Sequence, residues 1–240
     1  MKKTIFLAAI LIAALGFTGC GGSDKGGDLK IDAKVENGAN FNSLVDEVRA
    51  VGKMCTGKSP VYNEEGEIDH YVCDGYQDVI IASAPYKNGG FKITLPKKID
   101  ERLLEPISSQ YDGITISNTN AKGTVLLYLC AYKSNVLVDA LMYLNYNLFA
   151  SEATVAMFFY LDSDVKVTGT AIVSGKTIIH DCNFKKGWNI AYTKANTVTG
   201  DSKTTTEKPS IDLKWYFVTD LSTIPTAPQK LPNMLPQFFK

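Results

Sequence analysis

The sequence predicts an all-β protein of β-sandwich architecture. Three observations carry this reading. Apolar residues recur at every second position in run after run, Gly-containing turn signals separate the runs, and a convincing long helical stripe is almost absent.

The chain opens on a segment that stands outside the fold. Lys2 and Lys3 precede an uncharged apolar run from Ile5 to Leu15, which gives way to Gly16, Thr18 and Gly19. A spanning helix needs about 20 apolar residues, so this shorter run is expected to be a signal-peptide core, with residues 1–19 removed on export. The Gly-, Ser- and charge-rich residues that follow, 20–28, cannot bury apolar area and are expected to act as a tether.

The strands follow in order. Leu29, Ile31, Ala33 and Val35 alternate with Lys30, Asp32, Lys34 and Glu36, and Asn37-Gly38 ends the run. Residues 48–54 and 78–84 are further strand candidates, although 44–51 also reads as a short helix. Phe91, Ile93 and Leu95 alternate after the turn signal Asn88-Gly89-Gly90, and Pro96 stops them. Residues 124–132 and 154–161 are apolar on both faces, as central strands require. Residues 136–149 are ambiguous, because Leu137, Leu141, Leu144 and Leu148 also share one helical stripe. Val165, Val167, Ala171 and Val173 alternate up to Ser174-Gly175, which predicts a hairpin into 176–182. Trp188, Ile190 and Tyr192, with Ile211, Leu213, Trp215 and Phe217, are expected to face one core while Asn189, Thr193, Asp212 and Lys214 stay wet. Beyond residue 220, Pro225, Pro228, Pro232 and Pro236 exclude a helix from the tail 221–240. Leu231, Leu235, Phe238 and Phe239 would anchor that tail on its own domain.

Two stretches resemble known families. Phe17, Thr18, Gly19 and Cys20 resemble the lipobox of bacterial lipoproteins, although Phe17 departs from the aliphatic residue usual there. The resemblance implies cleavage before Cys20, a diacylglycerol on its thiol and anchoring of the chain in a membrane. Asp24 and Asp28 give the tether a likeness to the export tags of Bacteroidota-type surface lipoproteins, which implies an outer-membrane location with the leaflet left open. The segment Gly90-Phe91-Lys92-Ile93-Thr94-Leu95-Pro96 is similar to a strand of carboxypeptidase-regulatory-like and other transthyretin-like modules. It implies two Ig-like or transthyretin-like sandwich modules in tandem, residues 29–118 and 119–220.

Charge limits the partners. Basic and acidic residues number 25 each, and loss of Lys2 and Lys3 with the signal leaves a slight acidic excess without a basic cluster. Nucleic acid is therefore not an expected partner. Cys55, Cys73, Cys130 and Cys182 remain after Cys20. In an oxidising compartment they permit two bridges in any of three connectivities. Cys55 and Cys73 flank an acidic loop and form the candidate disulfide, worth about 3 kcal/mol for a loop of that size. Cys130 and Cys182 lie in apolar runs and equally suit buried thiols, and no paired zinc spacing occurs.

One motif fits its pattern in full. Gly52-Lys53-Met54-Cys55-Thr56-Gly57-Lys58-Ser59 matches the phosphate loop G-x-x-x-x-G-K-[ST]. That chemistry needs a helix after the Lys-Ser pair, and residues 61–69 carry Gly66 and no apolar stripe. A surface loop without nucleotide is expected. No other cofactor motif, catalytic constellation or metal set is complete. His180 and Cys182 share a strand face as a structural pair, Asp162 and Asp164 lack further calcium ligands, and Glu64, Glu65, Glu67 and Asp69 suit a solvated loop.

The expected function is a non-enzymatic envelope lipoprotein, a binding or spacer module for a protein or a glycan. The alternatives are a glycan-binding accessory of polysaccharide utilisation and a hydrolase whose carboxylates meet only in the fold. Trp188 and Trp215 lie on apolar faces and are expected in the core, which removes the best sugar-stacking side chains from the surface.

Overall fold

The computed structural model describes residues 27–108, 111–147 and 151–222. The signal segment, Cys20 with most of the tether, and the Pro-rich tail beyond residue 222 lie outside the described residues.

The all-β expectation holds, and fifteen strands join in one open sheet. In the first part of the chain they are β1 (Leu29–Lys34), β2 (Glu47–Tyr62), β3 (Ile68–Lys87), β4 (Gly90–Leu95), β5 (Glu105–Pro106) and β6 (Ile114–Ile116). The middle holds β7 (Lys122–Leu126), β8 (Leu129–Lys133), β9 (Val136–Asn147) and β10 (Glu152–Leu161). The remainder are β11 (Val165–Val173), β12 (Lys176–Phe184), β13 (Gly187–Asn196), β14 (Ser202–Thr205) and β15 (Lys214–Phe217), followed by one helical turn, α1 (Val218–Ser222). The last two residues of α1 fall in the tail expected to hold no helix, because they precede its first proline, Pro225.

Two cores sit on opposite faces of shared strands. The larger gathers Ile31, Ile93 and Leu95 from β1 and β4, Val48 from β2, and Phe158, Tyr160, Trp188, Trp215 and Phe217 from the second half of the chain. The other packs Met157, Phe159 and Leu161 of β10 and Ala191 of β13 against Val165, Val167, Cys182 and Phe184 of the β11–β12 hairpin. From Met157 to Leu161, even-numbered residues of β10 thus enter one core and odd-numbered residues the other, as alternation along a doubly covered strand dictates, whereas Val155 joins a third, small cluster with Met142 and Leu144. Strand pairings cross position 118 in three places: β2 with β8, β5 with β7, and β6 with β11. The ladder is therefore continuous from one half of the chain to the other.

The turns obey local chemistry. Asn88 and Gly89 (φ 54° and 74°) reverse the chain between β3 and β4, and Ser174 and Gly175 (φ 50° and 75°) do so between β11 and β12. Paired positive φ values suit the twist of two-residue hairpins.

Several expectations need correction. The helical alternatives at 44–51 and 136–149 are not taken, since 47–51 lies in β2 and 136–147 forms β9; pairing across the sheet outweighs a short stripe. The apolar run 124–132 is two strands, not one, because β7 bonds to β10 while β8 bonds to β9. Thr193, expected wet, is buried because β13 is covered on both faces, and its hydroxyl meets that of Thr204 at 2.8 Å. Ile211 and Leu213 precede the short β15, Ile211 being 41% exposed and Leu213 half-buried, and with Tyr192 they stay out of the core shared by Trp188, Trp215 and Phe217, against which Ile190 packs.

Candidate functional site: a two-stranded arm

The outer part of the β2–β3 hairpin is the feature that stands apart from both cores, while Val48, Ala50, Ala84 and Tyr86 at its base belong to the larger one. At its base, β2 bonds to β8 through Glu47–Arg49 and β3 bonds to β4 through Tyr86 and Lys87. Beyond Ala50 and Ala82 the two strands bond only to each other, as far as Tyr62 opposite Ile68. Bulges interrupt the register at four places along this ribbon, which increases local twist.

Local contacts fix the arm. Leu103 is buried against Gly52, where an added Cβ would lie 3.0 Å from its methyl group. Lys53 pairs with Asp78 across the strands, and Lys58 reaches Glu105 at 2.9 Å. Cys55 and Cys73 form a disulfide across the bulged region, with Cα atoms 5.7 Å apart. At the tip, the Asn63 side-chain oxygen accepts the amides of Glu65 and Glu67 at 3.1 and 2.8 Å, and Gly66 takes φ 82°. An isolated two-stranded hairpin is marginal in water, so the disulfide and these end contacts supply what a core supplies elsewhere.

The arm keeps large apolar side chains in solvent. Tyr62, Ile68, Tyr76 and Ile80 are each at least half exposed, and Val72 is exposed as well. Tyr128, also exposed, lies within electrostatic range of Lys53 on the neighbouring sheet surface. Between Lys58 and Lys87 the chain carries six Asp and Glu residues and no Lys or Arg. The outer arm is thus apolar and acidic together.

The residues singled out by sequence fall as follows. The phosphate-loop match, residues 52–59, lies wholly inside strand β2, not in the surface loop expected for it. Its backbone is committed to the ladder with β3, whereas a phosphate cradle needs free amides at a helix start. Among the described residues the sulfurs of Cys55 and Cys73 and a Glu105 carboxylate oxygen lie within 4.8 Å of one another, but sulfurs joined in a disulfide offer no thiolate to a metal. Asp162 accepts the amide of Lys122 at 2.9 Å, and Asp164 accepts the amide of Lys186 at 2.8 Å and pairs with Lys185, so both fasten the β10–β11 turn. Asp220 is raised by burial and by the nearby Asp139 charge. Asp139 in turn faces the Thr219 amide with both oxygens at 3.4 Å, which is the geometry of a helix start.

Cys130 and Cys182 are buried free thiols. Burial pushes the Cys182 thiol up to about 12, and its sulfur lies 3.5 Å from the Thr204 carbonyl, so it is an unreactive protonated group. Burial also lowers His180 to about 4 and keeps its ring neutral. The unfolded chain takes up that proton near 6.5, so the contribution of neutral His180 is intact above pH 6.5 and declines as pH falls toward 4. About 2 kcal/mol of stability should be lost through this group by pH 5. Urea unfolding of the wild type and of His180→Gln at pH 7 and pH 5 checks this: the wild type should lose more between the two pH values, and parallel losses would refute the assignment.

Sequence reasoning missed the arm as a unit. Its signal was present in the alternation-poor, polar residues 56–67 with Cys on either side, but nothing in that pattern sets how far two strands continue beyond a core. Comparison with protein-family models, with curated proteins and with solved structures gives no match to this chain.

Proposed function

We propose that this chain is a non-enzymatic envelope lipoprotein, anchored at Cys20 in the outer membrane, whose β-sandwich body presents the β2–β3 arm as a binding surface. The observation that carries the binding role is the arm itself. A hairpin that exposes Tyr62, Ile68, Tyr76 and Ile80 together places apolar area in water, outside the core clusters of the described residues. Anchoring rests on the basic residues, the apolar run and Phe17-Thr18-Gly19-Cys20.

Glycan binding is a second reading with one observation in its favour. Both Trp residues are buried, but Tyr62, Tyr76 and Tyr128 expose ring area on the arm and beside it. Tyrosine-fluorescence titration with soluble polysaccharides separates a sugar ligand from a protein one.

The anchor has a direct test. In cells fed labelled palmitate, the wild-type chain should incorporate label and sediment with membranes, while Cys20→Ser should carry none and appear soluble or uncleaved. Equal labelling of the two chains would end the lipoprotein reading.

A further inference from the structure

We propose that the outer half of the arm docks into a basic, apolar-lined groove of a second protein held in the same membrane. The proposal rests on the lipoprotein reading above and adds the partner's chemistry and position.

The position follows from a chain of contacts. Lys58 on β2 meets Glu105, Glu105 pairs with Gly123, Gly123 with Leu161, and Leu161 with Gly187. Trp188, next along β13, donates its indole N–H to the Pro96 carbonyl at 2.9 Å, and the adjacent Leu95 pairs with Leu29, the first residue of β1. Lys58 and Leu29 therefore lie at the same end of the body. From Lys58 the arm continues through Tyr62, four more residues, or about 13 Å of strand. The nine residues 20–28 span at most about 30 Å when extended. The tip thus lies on the same side of the body as Leu29, and a tether of nine residues would let it reach the membrane surface.

The chemistry selects the partner. Beyond Lys58 the outer arm carries Glu64, Glu65, Glu67, Asp69 and Asp74 and no Lys or Arg, which disfavours an anionic lipid surface and a second copy of the same arm, since both would repel it. A positively charged surface attracts it, and the exposed Tyr62, Ile68 and Tyr76 need an apolar lining to leave water. A protein groove offers both.

The test uses the full-length, lipid-anchored chain in the cells that make it. A benzophenone residue replaces Tyr62 or Tyr76, or Val198, which is 78% exposed in the turn after β13, at the opposite end of that strand from Gly187. Positions 62 and 76 should give a protein adduct of one discrete mass that position 198 does not give. The triple change Glu64→Lys, Glu65→Lys and Glu67→Lys should weaken that adduct about tenfold or more, and Tyr62→Ser with Ile68→Ser should weaken it with the charges intact. The melting temperature of each variant identifies any that fails to fold. Lipid adducts, equal adducts from position 198, no adduct, or indifference to both sets of changes would overturn the docking proposal. Palmitate labelling of the same samples separates the two ideas: label without adduct rejects the docking alone, whereas absence of label rejects the anchor.

Discussion

Trp215→Ala should destabilise the protein by about 3–5 kcal/mol, enough to unfold a marginal domain. Trp215 sits where the two halves of the chain meet. Its ring lies 5.3 Å from Phe91 of β4, 5.2 Å from Tyr143 of β9 and 6.0 Å from Phe158 of β10, centroid to centroid. The side chain is buried at 5% exposure, and its backbone carbonyl accepts the amide of Glu36 at 2.8 Å. Truncation removes three aromatic contacts and leaves a cavity whose aromatic walls belong to three strands, which cannot close without shifting the sheet. The neighbouring Lys214 points the other way, exposed and paired with Glu36 at 3.0 Å. Lys214→Ala should therefore cost at most a few tenths of a kcal/mol. Chemical denaturation of the two variants beside the wild type decides the matter; equal midpoints would mean that Trp215 is not a core residue.

The contrast between these two adjacent positions was legible in the sequence, because a period-two run with one wet face needs no knowledge of its neighbours. The same holds for Ile31 and Ala33 in β1 and for Phe91, Ile93 and Leu95 in β4, which are buried while the residues between them are exposed. Thr193 shows where this local logic stops. A threonine in an alternating strand reads as solvent-facing, yet β14 comes back alongside β13 and places Thr204 opposite it. Whether a strand is covered once or twice is a property of the whole topology, and no single strand encodes it. The run 124–132 fails for a related reason: its apolar content gives burial correctly, but the change of partner from β10 to β9 happens between strands distant in sequence.

The arm lay further out of reach. Four register shifts break the alternation of its apolar residues, and the matching phosphate-loop pattern draws attention to Gly52, Gly57 and Lys58 as chemistry. In the fold these residues do structural work. Gly52 gives room to Leu103, an added Cβ at Gly57 would lie 2.7 Å from the Asp74 carboxylate, and Lys58 ties the arm to Glu105. Residue spacing alone cannot tell a loop that wraps phosphate from a strand that is merely glycine-containing; only the partner of each backbone amide can.

Gly169→Ala should cost about 3–5 kcal/mol, although it adds a single methyl group near the middle of a strand. Gly169 has φ 128°, a conformation that L side chains rarely adopt, and an added Cβ would stand 2.0 Å from the Gly113 carbonyl oxygen. That oxygen accepts the amide of Thr170 at 3.1 Å, and Ile114 pairs with Gly169 in the β6–β11 ladder. The obstacle is therefore hydrogen-bonded backbone, which cannot swing aside as a flexible side chain would. Relief requires β6 to lift from β11, exposing Ile114 and Ile116, which pack on the smaller core. Gly175→Ala provides the comparison. Its φ of 75° also disfavours a side chain, but nothing lies within 4 Å of the added atom, so only the conformational cost of about 1–3 kcal/mol applies. Unfolding curves should rank wild type, Gly175→Ala and Gly169→Ala in order of falling stability, with amide exchange at residues 114–116 faster in Gly169→Ala alone. A Gly169→Ala protein as stable as Gly175→Ala would show that β6 is not held against β11 at the observed distance.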